Sequence, residues 1–273
     1  MKIYLGPTGT LSFLLLAACI LLNVAIGFLF LLRKNENKRA DFFFAAWQFA
    51  FGLTAFYEIL VLQDIYREQP QWLFLPVYYT LSLGVLLFFS IKLRLFPTYK
   101  FVATDSKHFI LPVGQFLYFL LLFVFADVAF RQSVGRKFYS PFYGGLEMGL
   151  YIATFYGYLF GAYRYIRYKV ASMRHSGAGW PLHEVLQLRR LVRVMLVLFW
   201  VNSVYIIADF VMYELLRLNM HDFRGFTRFG EFSFAAMAGW AGWMGVVLLL
   251  KHPYKSFSGL LLFQLKKRLK KSR

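Results

Sequence analysis

A bundle of seven transmembrane helices is the fold class this sequence predicts, and three observations predict it. Apolar residues make up 59% of the 273 residues and mean hydropathy is +0.54, where a soluble domain runs near 45–50% apolar. Only 16% of residues are charged, while Phe and Tyr number 33 and 18. That much aromatic surface exceeds what a soluble core of this size can bury. Finally, the apolar residues fall into seven long runs of roughly 20 to 27 residues, the length needed to cross about 30 Å of hydrocarbon. These runs do not alternate with period two, so they are helices and not strands of a membrane barrel.

The runs cover residues 10–32, 41–63, 72–95, 108–130, 142–166, 190–216 and 229–250. In the first, Leu16-Ala17-Ala18-Cys19 has the form of a lipoprotein cleavage box. A further apolar run follows where a lipoprotein has a polar tether, so Cys19 reads as a small residue of a helix. It is also the only cysteine, which rules out an internal disulfide or a cysteine-based metal site. The second run follows the basic stretch RKNENKR, and the third ends in SIKLRLFP. The fifth carries Gly145/Gly149 and Gly157/Gly161. Before the sixth, the sequence SGAGWP (residues 176–181) breaks the chain, and Leu182 to Arg193 restarts it as a basic helical lead-in. The seventh run aligns Ala235, Ala238, Gly239, Gly242 and Gly245 into a smooth stripe for a closely packed helix, of this chain or of a second copy.

Residues 1–251 thus form the transmembrane domain and 252–273 a basic tail. In the tail, Phe257, Leu261, Leu265 and Leu269 recur every fourth residue beside Lys266, Lys267, Arg268, Lys270 and Lys271. This pattern predicts a helix lying in the membrane interface, drawn to anionic lipid. Lys and Arg set the orientation: 23 of 31 fall in the first, third and fifth connections, their flanking helix ends and the tail. The amino terminus is then outside and the carboxyl terminus cytoplasmic, as in a multi-pass protein of a bacterial inner membrane. The net charge of +18 does not indicate direct nucleic-acid binding, because the bases sit at the ends of apolar runs.

The acids are distributed differently. Nine of the thirteen, including Glu58, Asp127, Glu147, Asp209, Glu214 and Glu231, fall in the outer loops or outer halves of the runs, a bias that orientation does not require. Asp209 is the deepest, about 12 Å below Arg217 at 1.5 Å per residue. A charge at the centre of a span costs about 2.5–3.5 kcal/mol, so Asp209 should face the bundle interior. Asp127 precedes Arg131 by four residues and Glu231 follows Arg228 by three, spacings that suit ion pairs. Asp209, Glu147 and Glu58 either line an aromatic-walled cavity open to the outside or pair with polar side chains that hold the bundle in register. Tyr57, Tyr78, Tyr79, Tyr151, Tyr205 and Tyr213 lie at compatible heights.

Several chemistries are disfavoured by the residues themselves. The seventh run has no lysine to carry a retinal Schiff base, and no two histidines share a depth at which haem could be held. The chain has no G-x-S-x-G, no phosphate-binding loop and no clustered zinc ligands. No cofactor or metal is expected, and no catalytic residue stands out.

The segments RKNENKRADFFFAAWQFAFGL, YTLSLGVLLFFSIKLRLFP, KHFILPVGQFLYFLLLFV, YLFGAYRYIRYK and LHEVLQLRRLVRVMLVLFWVNSVYII resemble the seven-helix sensor half of membrane-bound AraC-type regulators and histidine kinases of Bacteroidetes. His108, Pro112 and the basic end of the fifth run share in the likeness, which spans roughly residues 30–215. The resemblance implies sensing at the membrane. Neither a helix-turn-helix nor a kinase core follows before Arg273, so a signal would leave through a partner protein. The primary expectation is therefore a sensor or receptor-like module with Asp209, Glu147, Glu58, Tyr205, Tyr151 and Tyr57 as ligand-binding candidates. A non-catalytic subunit of a larger membrane assembly, using Gly239 and Gly242 as its contact, is the second. A lipid-modifying enzyme or small transporter is the third.

Overall fold

The computed structural model describes residues 6–33, 37–134, 144–175, 179–218 and 223–250. The tail, with Lys266, Lys267, Arg268, Lys270 and Lys271, lies outside them. The described residues are helical, with no strand among them. In chain order the helices are α1 (Gly6–Leu32), α2 (Lys38–Leu62), α3 (Ile65–Glu68), α4 (Thr80–Leu95), α5 (Ile110–Phe125), α6 (Val128–Val134), α7 (Gly145–His175), α8 (Gly179–Phe210) and α9 (Arg224–Leu250). A 3-10 turn over Ala103–Phe109 leads into α5, and α8 ends in a π-helical turn, Val211–Leu215.

Five helical stretches are long and apolar enough to cross a membrane: Gly6–Leu32, Lys38–Leu62, Ala103–Phe125, Glu184–Tyr213 and Arg224–Leu250. The other two expected runs coincide with α4 and α7. Helix α4 is shorter than expected, because residues 73–79 are not helical. Pro76 lacks an N–H and pushes Leu75 out of the α region, and Phe74 takes a left-handed backbone at φ 64. Non-helical backbone is tolerated at membrane depth only where protein satisfies it. Here Arg131 Nη1 donates to the carbonyls of Gln71 and Leu73 at 2.8 and 3.1 Å. Tyr79 N donates to Thr54 Oγ1, and the Tyr79 hydroxyl to the Pro76 carbonyl.

The fourth expected run is likewise cut, at Ala126. Asp127 caps the short α6, its Oδ1 accepting from Phe130 N at 2.6 Å. The sequence suggested an Asp127–Arg131 pair. Instead Arg131 is buried and clasps the 71–73 backbone, while Asp127 serves as the cap.

Six helices close into a ring in the order α1, α2, α4, α7, α8, α9, with α9 returning to α1 and also touching α2. Helix α5 packs on the outside of α4, and only Gln115 and Phe119 of it are buried. Twelve residues of the sixteen-residue α4 are buried, so α4 is covered by its neighbouring helices along most of its length. A core of Phe44, Trp47, Phe51, Phe155, Phe199 and Met237 fills the ring.

The small-residue stripe of α9 is the seam that closes the ring. A Cβ on Gly242 would fall 2.6 Å from Leu22 Cδ2, and one on Gly245 would fall 2.4 Å from Ile26 Cγ2. A Cβ on Gly239 would lie 3.7 Å from Cys19 Sγ. Close approach lets side chains reach backbone carbonyls across the seam. Asn23 Nδ2 donates to Ala238 O and Gln48 Nε2 to Ala241 O, both at 3.0 Å, and Cys19 Sγ lies 3.4 Å from Ala235 O. The stripe, including Gly239 and Gly242, is therefore occupied by this chain's own α1 rather than presented to a second molecule. Gly245→Val should lower stability by about 1–3 kcal/mol, the usual range for overpacking. Thermal unfolding in detergent measures this, and an unchanged midpoint would mean that α1 does not sit in the seam.

Candidate functional site

At the end of the ring carrying residues 72–79, the helices leave a cavity of about 140 Å³. That is close to the roughly 150 Å³ of a cavity that binds benzene. Helix α2 contributes Thr54, Tyr57 and Glu58, and Tyr78 and Thr80 come from the entry to α4. Tyr151 faces it from α7, Asn202, Tyr205 and Asp209 from α8, and Thr227, Gly230, Glu231 and Phe234 from α9. Three carboxylates and four tyrosines thus line one small space, and none of the lining residues is Lys or Arg.

Each side chain is placed by a local device. Tyr57 and Tyr78 pack at 4.6 Å between ring centroids. Tyr205 lies against the backbone of α9 because residue 230 is glycine: a Cβ there would be 2.3 Å from the Tyr205 ring. Phe226 flanks the same ring at 4.7 Å. Asn202 Nδ2 donates to Ser233 Oγ at 2.9 Å, and Ser233 Oγ to Gly230 O, which fixes α8 against α9 beside the cavity. Asp209 occupies the last α-helical turn before the π-helical segment, a distortion frequent at functional sites. Arg228 Nη1 donates to both oxygens of Glu231 at 2.6 and 2.7 Å, the pairing anticipated from their spacing. Tyr151 is 4% exposed and its hydroxyl has no hydrogen-bond partner among the described residues.

Of the sequence candidates, Asp209, Glu58, Tyr57, Tyr151 and Tyr205 come together on this cavity. Glu147 does not line it. It is buried one layer behind, where Oε2 accepts from the Tyr78 hydroxyl at 3.2 Å and Oε1 accepts from Thr80 Oγ1 and from Gln115 Nε2. Gln115 Oε1 in turn accepts from Leu81 N. Glu147 therefore joins α7, α4 and α5, and holds two residues of the cavity wall. Tyr79 and Tyr213 also lie elsewhere: Tyr79 stacks on Phe116, and Tyr213 is exposed on the π-helical turn. The side chain of Glu214 is outside the described residues.

Sequence reading missed a second cluster at the opposite end of α4. Arg94 Nη2 donates to Asp41 Oδ1 at 2.6 Å with both side chains buried, and Arg94 Nη1 lies 3.9 Å from Glu184 Oε1. The guanidinium also sits near the Phe30 and Phe44 rings, at 5.3 and 5.4 Å. Close by, Asp105 accepts from the Tyr99 hydroxyl at 2.6 Å and from Lys92 Nζ at 3.5 Å. Asn37 caps α2 through Ala40 N and donates to Leu93 O. These residues read in the sequence as topology-setting charges beside connections. The missed signal was that acids and bases of different connections share one depth.

The cavity's carboxylates are set among phenol rings, and no group of three or more His, Cys, Asp or Glu among the described residues is arranged to hold a metal. Comparison of the chain with protein-family models, with curated proteins and with solved structures finds no match.

Proposed function

We propose that this chain is a seven-span, receptor-like sensor of a bacterial inner membrane whose outward-facing cavity binds a small organic cation. One observation carries the reading: Glu58, Asp209 and Glu231 share a 140 Å³ space with Tyr57, Tyr78, Tyr151 and Tyr205. Carboxylates attract an ammonium by charge, and phenol rings attract it through their π faces by about 0.5–2 kcal/mol each. Glu231 is shared with Arg228, and Glu58 and Asp209 add two further carboxylates to the cavity wall. The volume limits the ligand to a few heavy atoms, and the buried Tyr151 hydroxyl offers it a hydrogen bond. The ring's seam supports this reading over that of an assembly subunit, since the stripe is filled by α1. With α4 and α7 as the additional spans, the excess of bases puts the Arg94 end in the cytoplasm. Helix α4 then runs as one buried rod from Thr80 at the cavity to Arg94 at the inner face, the route by which binding reaches a cytoplasmic partner.

The test is the thermal midpoint of the purified full chain in detergent with tetramethylammonium chloride, against sodium chloride at the same ionic strength. A ligand at a hundred times its Kd stabilises by about 2.7 kcal/mol. The midpoint should rise with tetramethylammonium for the natural chain and not for Asp209→Asn, which should itself remain folded. An equal rise in both proteins, or in neither, would overturn the proposal.

A further inference from the structure

A groove of about 790 Å³ lies on the outside of the ring, toward the Arg94 end. Helices α5 and α7 both pack on α4, and the groove runs between α7 and the 3-10 turn that leads into α5. Its floor is Phe88 and Phe96 of the α4 region, and His108 stands on the side of the turn. Gly157 and Gly161 keep the α7 wall low. A Cβ at Gly157 would meet nothing within 4 Å, so the missing side chain is open groove, while at Gly161 the ring of Phe88 comes to 3.2 Å.

We propose that this groove is a specific site for one anionic phospholipid, with an acyl chain along Gly157 and Gly161 and the phosphate on Arg164. Length is the first support. From Thr154 to Tyr168 the lining of α7 rises about 21 Å at 1.5 Å per residue. One leaflet offers about 15 Å of hydrocarbon and a further 5–7 Å of headgroup region. Cationic side chains gather at one end of the groove: Phe88, Gly157 and Gly161 line its deeper part with Thr154, Tyr158 and His108, while Arg164, Tyr165, Tyr168 and Phe96 line its mouth.

Charge is the second support. The chain has no Asp or Glu between Glu147 and Glu184, but has Arg164, Arg167, Lys169 and Arg174 there. Arg164 and Arg167 are exposed, and Lys169 Nζ sits 5.5 Å from the Phe96 ring of the groove floor. The buried Asp105, three residues before His108, is engaged by Lys92 and Tyr99. The mouth is thus cationic and bidentate-capable through arginine, the side chain suited to a phosphodiester. His108 Nδ1 and the Tyr158 hydroxyl, 3.0 Å apart, place a polar pair within reach of the lipid's ester region.

Native mass spectrometry of the full chain tests this. The protein would be released from micelles containing equal amounts of phosphatidylglycerol and phosphatidylcholine. One phosphatidylglycerol should persist per chain at collision energies that strip phosphatidylcholine. Gly157→Leu should abolish its retention by filling the groove. Arg164→Gln, at an exposed position that folding does not need, should retain a lipid but lose the preference for phosphatidylglycerol at least fivefold. Circular dichroism confirms that both variants keep their helix content. The site is refuted by equal retention of the two lipids on the natural chain, or by Arg164→Gln keeping the preference. A thermal-midpoint rise with inorganic phosphate matching that with phosphatidylglycerol also refutes it, as it would indicate a free-anion site.

Discussion

Arg94→Met should destabilise the bundle by about 3–5 kcal/mol, the range for removing one partner of a buried ion pair. Asp41 loses its 2.6 Å contact with the guanidinium, and Glu184 its 3.9 Å one. Replacing both residues, Asp41→Leu with Arg94→Met, should recover most of that loss, because apolar groups of similar volume need no partner there. Denaturant unfolding in detergent, followed by circular dichroism, measures both. Raising the salt concentration should leave the pair's contribution nearly unchanged, since buried pairs are poorly screened. A single variant as stable as the natural chain would show that Arg94 does not hold α4 to α2.

The second large effect is expected at the other end of the same helix. Glu147→Leu removes the acceptor used by Tyr78, Thr80 and Gln115. Each stranded donor costs about 1–3 kcal/mol. Because Tyr78 and Thr80 border the cavity and gain relief there, a total of about 3 kcal/mol is expected. Glu147→Gln keeps one acceptor oxygen and should restore roughly half. Releasing Tyr78 and Thr80 also disturbs the wall, so the tetramethylammonium response should fall with Glu147→Leu although this carboxylate does not face the cavity. The contrast with Asp209→Asn is diagnostic: one variant loses stability and response together, the other response alone. A Glu147→Leu protein with unchanged stability would sink the structural role given to it.

The fold was legible in the sequence wherever a single helix carries its own signal. Residues 10–32 and 229–250 are long, predominantly apolar runs, and hydropathy alone places α1 and α9. The glycine stripe gave away a tight seam, though periodicity does not say which helix fills it. Pro76 was the available sign that residues 73–79 would not be helical, and hydropathy overrode it. The site was legible in part for the same reason. Depth along each run could bring Glu58, Asp209 and the tyrosines to one level, but rotation about each helix axis comes from packing. That rotation turned Glu147 behind the wall and Tyr213 outward. The Asp41–Arg94 pair was hidden because it joins residues 53 positions apart, and no local spacing announces such a contact.

Ring closure through α1 and α9 has a consequence for biosynthesis. The ribosome delivers α9 after every other wall of the cavity has been made, so the cavity is the last part of the bundle to be closed. Until then the Gln48 amide lacks its Ala241 carbonyl, and the Asn23 amide lacks that of Ala238. A nascent chain at that stage exposes amide groups to lipid. This gives a membrane quality-control protease or chaperone a chemical mark by which to tell the unfinished protein from the finished one.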